Sequence, residues 1–134
     1  MDARRLIALD EDDLAVISTH VQDSALRVGE IRWRPAEKRL VLGINRMDLD
    51  EIVAGKIQCR KLVSALRFDR VLACQSRGID MTQPAQELHL LGLEFHPGAA
   101  PGGTVALLFG SGGILRLDVE CLECELADLG LAEV

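Results

Sequence analysis

The sequence predicts a small α+β domain, in which one N-terminal helix packs on a mostly antiparallel, curved or barrel-like sheet of about seven strands. Near the N-terminus, one stripe of apolar residues recurs with helical spacing, and the later segments alternate apolar and polar residues with the period of a strand. Short turns separate these segments, which favours antiparallel neighbours. At 134 residues and 49% hydrophobic content, the chain can bury one core, so we expect a single domain over residues 1–134.

The helix is predicted to follow Asp10. An aspartate at this position caps the free N–H groups of the first turn, and Asp13 is placed three residues later to complete a capping box. The apolar residues that then share one helical stripe are Leu14, Ile17, Val21 and Ala25. Because Gly29 offers a stop, we expect the helix to end near Leu26.

The first strands form a predicted hairpin. Ile31 and Trp33 alternate with charged residues, residues 35–38 have the composition of a turn, and apolar residues alternate again over residues 40–44. Residues 46–55 then form a predicted loop or short helical turn.

Five further strands are predicted at residues 59–68, 70–79, 87–95, 104–109 and 114–119. The segment 80–86 connects two of them, since Pro84 cannot occupy a central strand. In the predicted strand at residues 87–95, the leucines change from even to odd positions. This change predicts either a sheet covered on both faces or a bulge near Leu90. Gly110, Ser111, Gly112 and Gly113 make the turn of the last hairpin.

Cys121 and Cys124 are the candidate metal ligands of the chain. The pattern over residues 119–129 fits a strand with a bulge near Cys121, which would separate the two thiols, and it also fits a closing helix, which would bring them closer. A structural zinc site needs four ligands, and no second pair at short spacing exists. We therefore expect two small buried hydrophobes and no cofactor, with a thiol–metal module as the third functional hypothesis.

Histidines mark the second functional hypothesis, an enzyme or small-ligand-binding protein with a cleft near His89 or His96. Glutamates lie close to both in sequence, but no assigned nucleophile or oxyanion donor accompanies them. His20, beside the apolar stripe of the helix, is expected to be partly buried and bonded to backbone or water. We therefore expect a binding protein rather than an enzyme.

Charge is distributed unevenly along the chain. Residues 1–67 carry 12 basic and 11 acidic side chains, whereas residues 68–134 carry 3 and 10. An anionic partner can dock on the basic first hairpin, whose candidate binding residues are Arg32, Arg34, Lys38 and Arg39. Nucleic acid is not the expected partner, because the chain has no Tyr, one Trp and three Phe, and Trp33 faces away from Arg32 and Arg34.

Three segments, residues 6–29, 70–80 and 112–130, together resemble an uncharacterised family of small bacterial proteins, domain of unknown function 2948. Most of the chain lies within the span of this resemblance. It implies kinship, and it brings no activity, ligand or catalytic residue to any position of this chain.

The favoured interpretation is a non-enzymatic binding or protein-interaction module whose partner is another protein or a second copy of the chain. No secretory signal or membrane-spanning run is recognised, so we expect a cytoplasmic protein that keeps its cysteines as thiols.

Overall fold

The structure is a computed structural model, and it describes residues 4–47 and 61–131. These residues form one helix and ten strands: β1 (Arg5–Ala8), α1 (Glu11–Val21), β2 (Ser24–Arg27), β3 (Ile31–Arg34), β4 (Arg39–Met47), β5 (Lys61–Phe68), β6 (Val71–Arg77), β7 (Glu87–Pro97), β8 (Gly103–Phe109), β9 (Ile114–Val119) and β10 (Cys124–Leu131). The predicted α+β class is confirmed. The described residues contain ten strands rather than about seven, because β1, β2 and β10 add to the predicted set.

Helix α1 begins as predicted. The N–H of Asp13 donates to Oδ1 of Asp10 over 2.8 Å, while the Asp13 carboxylate accepts from the N–H of Leu9 rather than from that of Asp10. The predicted end near Leu26 is wrong, since α1 ends at Val21. Asp23 adopts a left-handed conformation with φ of +62°, which redirects the chain into β2 and removes Ala25 from the helical stripe.

The strands join one sheet in the order β1-β10-β5-β4-β2-β7-β8-β9-β6, and each neighbouring pair is antiparallel. Strand β3 lies off this path and pairs with β4. Two strands therefore share one edge of β4. Ile31 of β3 is opposite Leu42, and Ala25 of β2 is opposite Asn45. The predicted first hairpin, β3 to β4, is confirmed.

The sheet is strongly curved but open. Strands β5 and β6 are joined by only Asp69 and Arg70, a link of at most about 10 Å, yet they lie six steps apart in the strand order. Six steps would span about 29 Å in a flat sheet, so the sheet must curl back on itself. Strands β1 and β6 form its two edges, which makes it a curved sheet rather than a closed barrel.

Strand β7 carries the predicted bulge. Its register against β8 shifts between Leu90 and Gly92, so the parity change in the leucines marks a local irregularity. Helix α1 packs on this strand, and the hydroxyl of Ser18 accepts a hydrogen bond of 2.9 Å from the N–H of Leu93. Leu93 lies beyond Leu90, the last residue of β7 that pairs with β2, so the helix satisfies a backbone donor that no strand takes up on that side.

The closing segment is a strand, and the alternative of a closing helix over residues 119–129 is wrong. Leu122, Cys124, Leu126 and Asp128 are all buried, and their spacing of two is that of a strand with one face on the core. Residues 120–123 interrupt the strand between β9 and β10, close to the predicted bulge.

Arg46 and Met47 belong to β4, while residues 48–55 of the predicted loop lie outside the described part of the chain. Within residues 4–47 and 61–131, no helix is long and apolar enough to cross a membrane.

Candidate functional site

Four arginines of β3, β4 and β5 lie together on the outer face of the sheet: Arg32, Arg34, Arg39 and Arg67. The core takes Ile31 and Trp33, so alternation along β3 turns Arg32 and Arg34 outward. The strand register brings the others beside them. Arg34 is directly opposite Arg39, and Val41 lies between Arg32 of β3 and Arg67 of β5. We call this surface the arginine face.

A shallow groove of about 320 Å³ runs across the arginine face. Small side chains on neighbouring strands form part of its lining, and arginines stand around them. The lining residues are Arg34, Arg39, Val41, Ala65, Arg67, Glu125 and Ala127. Three guanidinium groups and one carboxylate therefore share this groove, which makes its lining net positive.

Two carboxylates hold part of the arginine face in place. Asp69 Oδ1 accepts a 2.7 Å hydrogen bond from Nε of Arg39, and this bond, with the nearby charge, raises the pKa of Arg39. Glu125 Oε2 accepts from Arg67 over 3.2 Å and from Arg5 over 3.0 Å. The Arg67 Nε lies 3.0 Å from Asp69 Oδ2, but the two are not aligned, and among the described residues this buried nitrogen has no hydrogen-bond partner.

Arg32 and Arg34 keep the most exposed charge of the face. Arg34 contacts Glu37 at 3.8 Å, with both side chains about half exposed, and such a pair contributes little. Arg32 forms no ion pair within the described residues. Because Arg34 is directly opposite Arg39, two like charges occupy a cross-strand pair, an arrangement that destabilises a sheet.

The fourth predicted binding residue, Lys38, lies in the turn before β4, where its φ is +52°. Its ammonium group donates to Glu120, which lowers the pKa of that carboxyl. Together with Arg39–Asp69 and Arg67–Glu125, this pair joins basic residues of the first half of the chain to acidic residues of the second half. Much of the charge asymmetry along the sequence is thus neutralised inside the fold.

The family model described as "Protein of unknown function (DUF2948)" matches residues 4–133, nearly the whole chain. The chain belongs to this family. The resemblance carried by the three sequence segments is therefore confirmed. Neither the curated proteins nor the solved structures that were searched gave a match.

In this member of the family, Cys121 and Cys124 occupy different environments. Cys124 is buried in the hydrophobic core, and burial strongly raises the pKa of its thiol. Cys121 is half-buried in the segment between β9 and β10. Among the described residues, no group of three or more histidine, cysteine, aspartate or glutamate side chains is arranged to hold a metal ion.

The histidines of β7 are exposed and lie far apart. His89 is 3.6 Å from Glu87, and His96 is 3.2 Å from Glu94. Seven residues of strand separate the two histidines by about 23 Å, so they cannot act on the same small group. His96 lines a shallow depression of about 250 Å³ between α1 and β7, whose lining does not include His89.

A buried polar cluster joins strands β4, β5 and β10. Asp128 of β10 accepts two hydrogen bonds from Arg46 of β4, of 3.0 and 2.8 Å, and a third, of 2.7 Å, from Ser64 of β5. The N–H of Arg4 donates to the same carboxylate. The Arg46 and Asp128 side chains are 2% and 1% exposed, so this ion pair is almost completely withdrawn from water.

The pKa of Asp128 is lowered even though it is buried. Desolvation is the largest single effect and acts to raise the pKa, but the hydrogen bonds from Arg46, Ser64 and the backbone of Arg4, with the Arg46 charge, together outweigh it. Asp128 is therefore ionised at neutral pH and charge-paired with Arg46.

His20 extends the cluster to α1. Its Nδ1 is 2.9 Å from the carbonyl oxygen of Val16, which can only accept, so Nδ1 carries the proton. Nε2 then accepts from Arg4 at 2.6 Å. This confirms the expected partly buried histidine bonded to backbone, and it adds Arg4 as a second partner.

Sequence reasoning missed this cluster, although a signal was present. Arg46 continues the apolar parity of Leu40, Leu42 and Ile44, and Asp128 continues that of Cys124 and Leu126. A basic and an acidic residue on the buried parity of separate strands indicate a buried pair.

Proposed function

We propose that the protein is a non-enzymatic interaction module of the cytoplasm, which binds an acidic segment of a partner protein on its arginine face. The observation that carries the proposal is the cross-strand pair of Arg34 and Arg39, with Arg67 lining the same groove. Like charges in directly opposed positions weaken a sheet, and a bound carboxylate would remove that cost. The arginine face is thus better suited to the bound state than to the free one.

Acidic side chains are the favoured ligands because of what surrounds the arginines. The groove floor contains Val41, Ala65 and Ala127, which are small and aliphatic. Trp33 packs on the core side of β3, so the arginine face offers no ring from that strand on which a base can stack. Planar guanidinium groups bind carboxylates through paired hydrogen bonds, which gives recognition without aromatic platforms.

The arginines use only some of their hydrogen-bonding groups within the protein, so they can also bind the carboxylates of a ligand. Asp69 and Glu125 hold the Arg39 and Arg67 side chains over the groove, so the arginines are partly ordered before a ligand arrives. Pre-ordered groups lose less conformational entropy on binding. Arg32 and Arg34, which lack strong intramolecular partners among the described residues, are expected to make the first contacts with an acidic segment.

Calorimetric titration with a hexaglutamate peptide tests the proposal. The double substitution Arg32→Thr with Arg34→Thr removes two charges while keeping residues suited to a strand, and we expect it to weaken binding at least tenfold, equivalent to about 1.4 kcal/mol. Binding to the natural sequence should also weaken as ionic strength rises, because these side chains are exposed.

The matched control is Arg77→Thr with Arg116→Thr. These arginines lie on β6 and β9, and the double change alters the net charge by the same amount. The control should bind hexaglutamate within about twofold of the natural sequence. Equal losses in the two double variants would show only a general charge effect and would contradict a specific arginine face.

Sedimentation velocity separates the two sources of an acidic segment. A concentration-dependent dimer that dissociates when hexaglutamate is added would identify a second copy as the occupant, and a monomer that binds hexaglutamate would assign the face to a different protein.

A further inference from the structure

Strand β3 has one open edge beside the arginine face. Within residues 4–47 and 61–131 it pairs with β4 alone, over four residues from Ile31 to Arg34. The N–H of Ile31 already donates to the carbonyl of Val28 in the preceding turn, so the backbone N–H and C=O groups available to another extended chain on this side are those of residues 32–34.

The open edge carries two chemically different faces. Arg32 and Arg34 are exposed on the outer side, whereas Ile31 and Trp33 are only partly buried on the inner side, against the core. An extended chain that continued the sheet past β3 would place alternate side chains on these two faces. One set would lie near the arginines and the other would cover the remaining surface of Ile31 and Trp33.

We propose that the acidic ligand binds by strand addition to the open edge of β3, and that it is an extended segment with alternating acidic and apolar side chains. This inference rests on the proposed function and specifies its ligand. Main-chain hydrogen bonds to β3 supply affinity, and the alternation supplies specificity. An acidic side chain beside Arg34 also places a negative charge next to the Arg34–Arg39 pair.

Charge complementarity and the open edge point to the same occupant. A compact acidic loop could reach the exposed arginines but would leave the backbone groups of β3 and the apolar surface of Trp33 uncovered. A segment without acidic residues could pair with the edge but would leave the cross-strand repulsion in place. An alternating extended segment meets both requirements.

The test uses a synthetic hexapeptide of alternating glutamate and valine and a block peptide with three glutamates followed by three valines. Strand addition predicts that the alternating peptide binds at least tenfold more tightly. On binding, hydrogen exchange should slow at alternate amides of residues 32–34, because only every second N–H of β3 faces the open edge and that of Ile31 already bonds to Val28.

Backbone methylation tests the main-chain bonds directly. In an added strand, the N–H groups of the glutamates point to one side and those of the valines to the other. We therefore prepare one alternating peptide with N-methyl glutamates and one with N-methyl valines. Strand addition predicts that one of the two loses at least tenfold in affinity while the other stays close to the parent.

The outcomes separate this inference from the proposed function. If both methylated peptides and the block peptide bind like the parent, strand addition is overturned and the arginine face still binds acidic segments. If neither hexaglutamate nor the alternating peptide binds, both proposals are overturned.

Discussion

At the scale of single residues, the pair of Arg46 and Asp128 is the most consequential feature. A buried ion pair is a weak source of net stability, but removing one partner leaves a charge with poor compensation in the core. Asp128 receives bonds from β4, β5 and the residue before β1, so it ties β10 to segments that are distant from it in sequence. These hydrogen bonds help to fix the register of β10 and β4 on either side of β5.

The substitution Asp128→Asn is therefore expected to lower the free energy of unfolding by about 3 kcal/mol at pH 7. The amide keeps the shape of the carboxylate but removes the charge opposite Arg46. Denaturant unfolding measures the change. Asp118→Asn is the control, because Asp118 is about half exposed and pairs with Arg116 at 3.5 Å, and its loss should change stability by less than about 0.5 kcal/mol.

The same carboxylate predicts a pH dependence. Its folded-state pKa is lowered, so its contribution to stability is complete above the unfolded value of about 3.9 and is lost as pH falls through the folded-state value. The stability difference between the natural protein and Asp128→Asn should therefore stay constant from pH 7 to 5 and shrink below about pH 4. A difference that grew toward low pH would contradict the lowered pKa.

At the scale of elements, the joint between α1 and β7 combines a predicted and an unpredicted feature. The parity change near Leu90 predicted a possible bulge, but no sequence pattern indicated that Ser18 would accept from the strand. A serine in a helix usually turns to water or to its own backbone, so its tertiary role depends on where the helix lands.

Replacing Ser18 with alanine should lower stability by about 1–2 kcal/mol, because the N–H of Leu93 would lose its hydrogen-bond partner. The neighbouring substitution Thr19→Ala provides the control. Thr19 is exposed and its hydroxyl bonds only to the carbonyl of Ala15 in its own helix, so its loss should have a much smaller effect. Equal losses in thermal unfolding experiments would show that the Ser18 bond does not secure the joint.

Most of the strands can be predicted from the sequence, because the segments that form β3 to β9 show period-two alternation or continuous apolar runs. Strand β1 escaped prediction because Leu6, Ile7 and Ala8 are consecutive apolar residues without alternation, and β2 because its residues were assigned to the end of the helix. The predicted helix was too long because Ala25 has the helical spacing of the apolar residues before it. The left-handed conformation of Asp23, which ends the helical path, has no strong signature in the amino-acid sequence. Strand order depends on contacts between distant segments, which local patterns do not encode.

At the scale of the whole molecule, the uneven distribution of charge along the sequence does not predict how charge is distributed on the surface. The basic first hairpin predicted an anionic docking site, but the fold pairs Lys38 and Arg39 of this hairpin, and Arg67, with acids of the second half. Of the candidate site, Arg32, Arg34 and Arg39 share one face as a hairpin alternation implies. Arg67 joined them only through the pairing of β4 with β5, which was not readable from sequence.

Under the proposed function, we expect the arginine face to serve binding rather than stability. The substitution Arg34→Thr separates the two roles, because it removes a like charge opposite Arg39 and places a β-branched residue in a strand. The contrasting change, Arg39→Thr, removes the hydrogen bond to Asp69 and should lower stability.

The most direct measurement is the paired determination, on Arg34→Thr, of the free energy of unfolding and of the affinity for hexaglutamate. We predict that stability is unchanged or raised by about 0.5 kcal/mol while affinity falls severalfold. A variant that unfolds more easily and binds hexaglutamate as tightly as the natural protein would show that Arg34 serves the fold, and it would contradict a binding role for the arginine face.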